Sequence, residues 1–231
     1  MRSINKQDEI NKDNSKVKVE FTGKNITPFG GLSLFRKFIQ KLGVEKVLDK
    51  VINNGGDEGK YSAGGKITSI IYGLACGLER PSDTEVLKQD KVFHKVIGYK
   101  EYPDQSTFSR FLKAFSVKGA KEIGEKGAGM LLRVRNDFCG WFKLTLDLDS
   151  HVKTIYGNQQ RAKVGYNPKK PGRKSYHPLF CFIGETRDFL LGKFRAGNTH
   201  SSTGAIEFLK ACLRLISKSA VQIYLRADSG F

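Results

Sequence analysis

Apolar positions in the first half of the chain recur at helical spacing. From Leu32 to Ile52, the positions Leu34, Phe35, Phe38, Ile39, Leu42, Val47, Leu48 and Val51 mark an apolar face, and Gly43 divides the segment into two short helices. "NNGGDEGKYSAGG" reads as a loop, and "KITSIIYGLACGLERP" as a buried helix that ends before Pro81. "SDTEVLKQDKVFHKVIG" opens on a Ser-x-x-Glu capping box, Ser82 with Glu85, and closes at Gly98. In "YPDQSTFSRFLKAF", Asp104 or Ser106 caps a helix with Phe108, Phe111, Leu112 and Phe115 as its stripe and Arg110 and Lys113 on the other face. Another helix is predicted over 117–135. Ahead of all this, residues 1–18 read as a flexible polar lead, and Val17 to Phe21 alternates like a short strand.

The period then changes. "FCGWFKLTLDLDS" is strand-like, and 178–185 and 188–195 read as two strands joined by a turn near Glu185–Asp188. "HSSTGAIEFLKACLRLISKS" is an amphipathic helix, with apolar pairs at 205/206, 208/209, 212/213 and 215/216. "AVQIYLRADSGF" is a last strand that ends at Asp228. The order from Phe142 is strand, strand, strand, helix, strand.

Within "LTLDLDS", residues two apart point the same way, so Asp147 and Asp149 share a face while Leu146 and Leu148 take the other. Asp228 ends a strand reached through a crossover helix, and such a strand usually runs parallel to its partner. Parallel neighbours can set their carboxylates side by side, where like charges need a cation. Hard oxygen ligands select Mg²⁺ or Mn²⁺ and suit two-metal phosphoryl transfer. A lone strand-end Asp is more often a cap or a turn residue. The paired Asp-x-Asp with a second strand-terminal Asp is the more specific pattern.

Charge sharpens this picture. The 231 residues carry a formal net charge of +17 with a sequence pI near 9.7, which favours polyanionic partners. Nucleic acid comes first, while a ribosomal protein or an anionic membrane surface also fits. Between Asp149 and Glu185 there is no acidic residue and there are seven basic ones: Lys153, Arg161, Lys163, Lys169, Lys170, Arg173 and Lys174. The part "GYNPKKPGRKSYH" reads as a loop able to grip a phosphate backbone beside the carboxylates. Four widely spaced cysteines form no CxxC pair, so no zinc motif is present, and they read as buried thiols in a reducing cytoplasm. No apolar signal core and no bilayer-length apolar run occurs, which points to a cytoplasmic protein without a membrane partner.

"LTLDLDS", "YGNQQRAKVGYNPKKPGRKSYHPL", "RAGNTHSSTGAIEFL" and "LRADSGF" together resemble the group-one DDE transposases of bacterial insertion sequences. The likeness reaches back through "GLACGLERPSDTEVLKQD" and "PDQSTFSRFL" and covers nearly everything after residue 30. The resemblance implies an α+β chain: a flexible lead (1–30), a helical DNA-binding region (31–136), and an incomplete ribonuclease H-like α/β catalytic domain (137–231). It implies Mg²⁺ (or Mn²⁺), cleavage at transposon ends, strand transfer into target DNA, a homodimer in the functional complex and a place at the nucleoid. Asp149, followed by Ser150, corresponds to the first catalytic aspartate and Asp228 to the second, with Asp147 as the fallback metal ligand. Ser106, Thr107, Arg110 and Lys113 are the expected DNA contacts of the helical region, and Arg161, Lys163, Lys169, Lys170, Arg173 and Lys174 those of the basic loop.

Two departures from the family pattern stand out. His151 replaces the usual Thr after "DS" and is expected to face solvent. The family's third carboxylate, a Glu after the second aspartate, has no counterpart before Phe231. The chain therefore reads as the N-terminal part of a transposase, inactive alone. The alternatives are a non-catalytic DNA-binding fragment that inhibits the full-length enzyme and, less consistent with the paired aspartates, an RNA- or ribosome-associated protein.

Overall fold

The computed structural model describes residues 23–24, 26–52, 60–139, 141–216 and 220–228. The alternation expected over Val17 to Phe21 lies outside them. The chain divides into two units, one through Ile123 and one from Gly124. The division falls inside a helix and earlier than the 136/137 boundary expected from the change of period.

The first unit is helical. Helices α1 (Leu32–Leu42) and α2 (Val44–Val51) meet at Gly43, as the sequence predicts. Gly43 takes φ 65°, and its N–H donates to the carbonyls of Gln40 and Ile39, which closes α1. Helix α3 (Ala63–Ala75) starts earlier than expected, because "AGG" belongs to it and not to the loop. Ser62 Oγ caps it by accepting from Gly65 N at 3.0 Å. The glycine is needed by the approach of α2: a Cβ at Gly64 would stand 2.3 Å from the Glu45 carbonyl oxygen.

The segment expected as one helix from Ser82 is broken. A 3-10 turn (Pro81–Asp83) leads into α4 (Thr84–Gln89), and α5 (Lys91–Ile97) follows with Asp90 as its cap, accepting from Phe93 N at 2.8 Å. Ser82 does not cap; its hydroxyl donates to Asp83, whose carboxylate takes the N–H groups of Glu79 and Arg80. Asp90 outcompetes continuation of the helix because a short carboxylate can bond the backbone locally. Helix α6 (Gln105–Lys113) is capped by Asp104, not Ser106. The core of this unit is Tyr72, Leu87, Phe93, Ile97, Tyr102 and Phe108. Arg36 and Lys66 are buried in this unit although charged. Arg36 packs so close to Gly98 that any Cβ there would collide with the guanidinium, and burial lowers its pKa.

Helix α7 (Val117–Cys139) crosses the division and its later part packs in the second unit. There, β1 (Trp141–Ser150) is followed by three short strands, β2 (Lys153–Thr154), β3 (Lys163–Val164) and β4 (Lys174–Tyr176), in a region expected to be loop. Strands β5 (Leu179–Ile183) and β6 (Asp188–Lys193), helix α8 (Ala205–Ile216) and strand β7 (Ala220–Ala227) complete the order. The larger sheet runs β6-β5-β1-β7 and the smaller β2-β4-β3. β1 pairs antiparallel with β5 and parallel with β7, so α8 makes the crossover that the sequence order implies. Leu144, Leu146 and Leu148 bury against Ala128 and Leu132 of α7 and Phe208, Cys212 and Ile216 of α8. Each such leucine contributes about 1.5–3 kcal/mol of transfer free energy. Cys181 and Cys212 are free thiols in this core and Cys76 is half-buried, while the Cys139 side chain lies outside the described residues. No described helix is long and apolar enough to cross a membrane.

The cap on α6 sets a pH dependence. The Thr107 backbone and the Ser106 hydroxyl hold the Asp104 carboxyl down to about 2. A depressed pKa stabilises the fold above the ordinary carboxylate range, and that stabilisation is lost as pH falls toward 2. Asp104→Ala should therefore cost about 1 kcal/mol near neutral pH. The gap between the urea midpoints of variant and parent should close on acidification. A gap that persists at the acid end would show that the ionised cap is not its source.

Candidate functional site

The period of two that buries the β1 leucines puts Thr145, Asp147 and Asp149 on the opposite face. Along β7 the last register pair is Leu148 with Ala227. One position further along, Asp149 is still within β1 and Asp228 is the first residue past β7; neighbouring strands of a sheet lie about 4.8 Å apart. Both are exposed, Asp149 one residue before the end of β1 and Asp228 one residue after the end of β7. The donors are hard carboxylate oxygens, so the pair fits one divalent cation of the Mg²⁺ or Mn²⁺ class. Among the described residues, no group of three or more His, Cys, Asp or Glu gathers.

Asp147 and Glu185 have partners elsewhere in the sheet. Asp147 lies opposite Arg226 in the parallel register and accepts from its Nε and Nη2. The geometry gives it the role of joining β1 to β7. Glu185, the first acid after the basic run, accepts from Thr145 N at 2.9 Å and Thr145 Oγ1 at 2.7 Å. Burial pushes its carboxyl up, but those two hydrogen bonds outweigh it and the pKa is lowered. Its partner Thr145 is four residues back along the strand from Asp149, so Glu185 does not complete the aspartate pair. His151 is exposed, as expected.

A buried network that sequence reasoning missed secures the end of β1. His177 Nδ1 lies 2.7 Å from the Thr199 carbonyl, which can only accept, so in the neutral ring Nε2 accepts from Ser150 Oγ at 3.1 Å. Arg195 is buried and donates Nε to His177 O at 2.8 Å. Its Nη1 donates to the carbonyls of His200, Ser201 and Thr203 at 3.2, 2.8 and 3.0 Å. Desolvation lowers its pKa. The signal available in the sequence was a lone Arg at a strand end before "AGN", which does not differ from any surface base.

The basic segment is a small sheet growing from the same end of the larger one. β1 runs into β2 through two residues, and β4 runs into β5 through His177 and Pro178. Lys153, Arg161, Lys163, Lys169, Lys170, Arg173 and Lys174 are all exposed. The turn that carries Lys169 and Lys170 is pinned by buried Asn167, whose Nδ2 donates to Thr154 Oγ1 at 2.9 Å while its Oδ1 accepts from Lys170 N at 3.1 Å. Gly165 and Gly197 hold the sheet to the 196–199 turn by backbone contact. A Cβ on Gly165 would lie 2.0 Å from the Gly197 carbonyl oxygen.

In the helical unit, Ser106, Arg110 and Lys113 are exposed on α6 and Thr107 is half-buried. The Ser106 hydroxyl donates to Asp104 at 2.8 Å. Phe108 and Phe111 are buried, so one face of α6 packs, while Leu112 of the expected stripe is half exposed. Buried Lys66 sits over the Phe111 ring at 5.3 Å, and desolvation, followed by the nearby Arg110 charge, lowers its pKa.

The chain matches the family model described as transposase DDE domain group 1 over residues 10–231. No curated protein matches it in sequence. The solved structure of a pre-cleavage Mos1 transpososome aligns at 10% identity over 82% of this chain and 67% of that one, with a TM-score of 0.17, too low to bear on the fold.

The glycine contact gives a direct test of how the basic sheet is held. Gly165→Ala should destabilise the second unit by about 1–3 kcal/mol, the usual cost of forcing atoms into a packed site. Gly127→Ala, where a Cβ on α7 meets nothing within 4 Å, should instead stabilise by about 0.5–1 kcal/mol. Thermal melts of the two variants should move in opposite directions; a shared direction would contradict the packing described.

Proposed function

Because the chain belongs to the transposase DDE domain group 1 family, we propose that it binds transposon-end DNA, with Asp149 and Asp228 as the two metal-binding aspartates of a ribonuclease H-like domain. The observation that supports this reading is the parallel β1–β7 register, which runs to the pair just before Asp149 and Asp228, together with seven exposed bases in and around the small sheet. A divalent cation held by this pair supplies electrophilic stabilisation of a phosphoryl oxygen. The protein's part is to hold the carboxylates at fixed strand ends, with Asp147 and Arg226 clamping the two strands. The exposed bases neutralise the phosphate backbone. Helix α6 offers a second contact, because recognition helices meet a groove with their N-terminal residues, and Ser106 and Arg110 are exposed. On this reading the chain acts on nucleoid DNA, as a homodimer in the functional complex.

Two aspartates hold one hard cation, and clamping both the attacking and leaving oxygens takes a second ion with carboxylates of its own. The chain should therefore bind DNA without cutting it, which is also the behaviour of a non-catalytic DNA-binding protein. Supercoiled plasmid carrying the element's ends, incubated with the chain and Mg²⁺ or Mn²⁺, should stay intact. Nicking that disappears in Asp149→Ala would show that the aspartates present suffice for cleavage.

Binding should weaken steeply with salt, by about 0.9 log unit per log of salt for each neutralised phosphate. Arg110→Ala and Lys113→Ala should each lower affinity for end DNA and flatten that slope by about one phosphate. If affinity and slope are unchanged, α6 serves packing alone.

A further inference from the structure

We infer that the small sheet β2-β4-β3, with the segments that follow β2 and β3, is a stacking platform for unpaired DNA, with Tyr156 and Tyr166 as the rings that receive bases. The inference rests on the DNA-binding reading above and names the form of DNA that this face takes.

Two tyrosines, each two residues past a strand of this sheet (β2 and β3), leave their rings in solvent: Tyr156 is 65% exposed and Tyr166 77%. Isolated exposed aromatics are ordinary. These two differ because their backbones are fixed while most of each ring stays in solvent. Tyr166 sits between Gly165, jammed against Gly197, and buried Asn167. Tyr156 follows Ile155, whose N–H donates to the Lys174 carbonyl at 2.9 Å. A ring held out on a rigid backbone is already in place for a flat partner and loses little freedom on binding.

The charges around the rings identify that partner. Lys170 Nζ lies 5.9 Å and the Arg173 guanidinium carbon 6.0 Å from the Tyr156 ring centroid. The whole stretch between Asp149 and Glu185 has no acid. Cations beside exposed rings are the features that bind single strands, in which phosphates meet bases of the protein and nucleobases meet the rings. A duplex presents the same phosphates but keeps its base faces stacked inside, so it cannot use the tyrosines. The rings therefore add affinity only for a strand whose bases are unpaired.

The test uses the full chain and fluorescence anisotropy. The probes are a mixed-sequence single-stranded DNA oligonucleotide, its duplex, and the RNA of the same sequence. Tyr156→Ala and Tyr166→Ala should each weaken single-strand binding about tenfold, with the salt slope unchanged. Tyr156→Phe and Tyr166→Phe should keep parental affinity, and duplex binding should be the same in all four variants. Circular dichroism melts at the parental temperature show that the variants are folded. Alanine variants with parental single-strand affinity would overturn the inference and leave DNA binding standing. Equal losses on single strand and duplex, or equal losses for Phe and Ala, would overturn it as well. Tighter binding to the RNA would overturn the assignment to DNA. A chain that binds neither DNA form would remove both this inference and the functional reading on which it rests.

Discussion

Leu144, Leu146 and Leu148 point into a core closed by α7 and α8, and the period of a strand leaves Thr145, Asp147 and Asp149 only the opposite face. This burial fixes the register of β1. A slip of one residue would drive aspartates into an apolar core and leucines into water. The register in turn decides which residue of β7 faces which residue of β1. Asp147 meets Arg226, and Leu148 meets Ala227, the residues just before Asp149 and Asp228. The crossover helix α8 supplies both the parallel direction of β7 and part of the core that pins β1. One set of apolar contacts thus builds the sheet and aims its carboxylates.

The basic sheet depends on a different kind of packing. Its strands are two or three residues long, too short to hold by pairing alone. Backbone contact between Gly165 and Gly197, the amide bonds of Asn167, and the carbonyls gathered by Arg195 take the place of an apolar core. Removing any of these partners would leave buried polar groups unpaired, and that cost is what keeps the arrangement specific. The outward residues are then free to be bases and aromatic rings.

The helical unit shows the same use of close approach. Gly64 lets α2 meet α3, and Gly98 both ends α5 with φ 74° and makes room for the Arg36 guanidinium. Tyr102 bonds the Ser69 carbonyl at 2.6 Å from within the core, so even the aromatic centre is tied by a satisfied polar group.

The sequence by itself determined the features that depend on local periodicity and on neighbours in the chain. These include the break at Gly43, the amphipathic helices α6 and α8, the leucine–aspartate alternation of β1, the parallel return through α8 and the family motifs. What only the tertiary structure decided are the features that depend on residues far apart in the chain. The start of α3 at "AGG" came from Glu45 and Asp49, the three short strands inside the basic run from the Gly165–Gly197 contact, and the engagement of Asp147 from Arg226. His177 and Arg195 carry no periodic signature, because a buried hydrogen bond specifies its residue through distance and direction to partners that adjacent sequence does not contain.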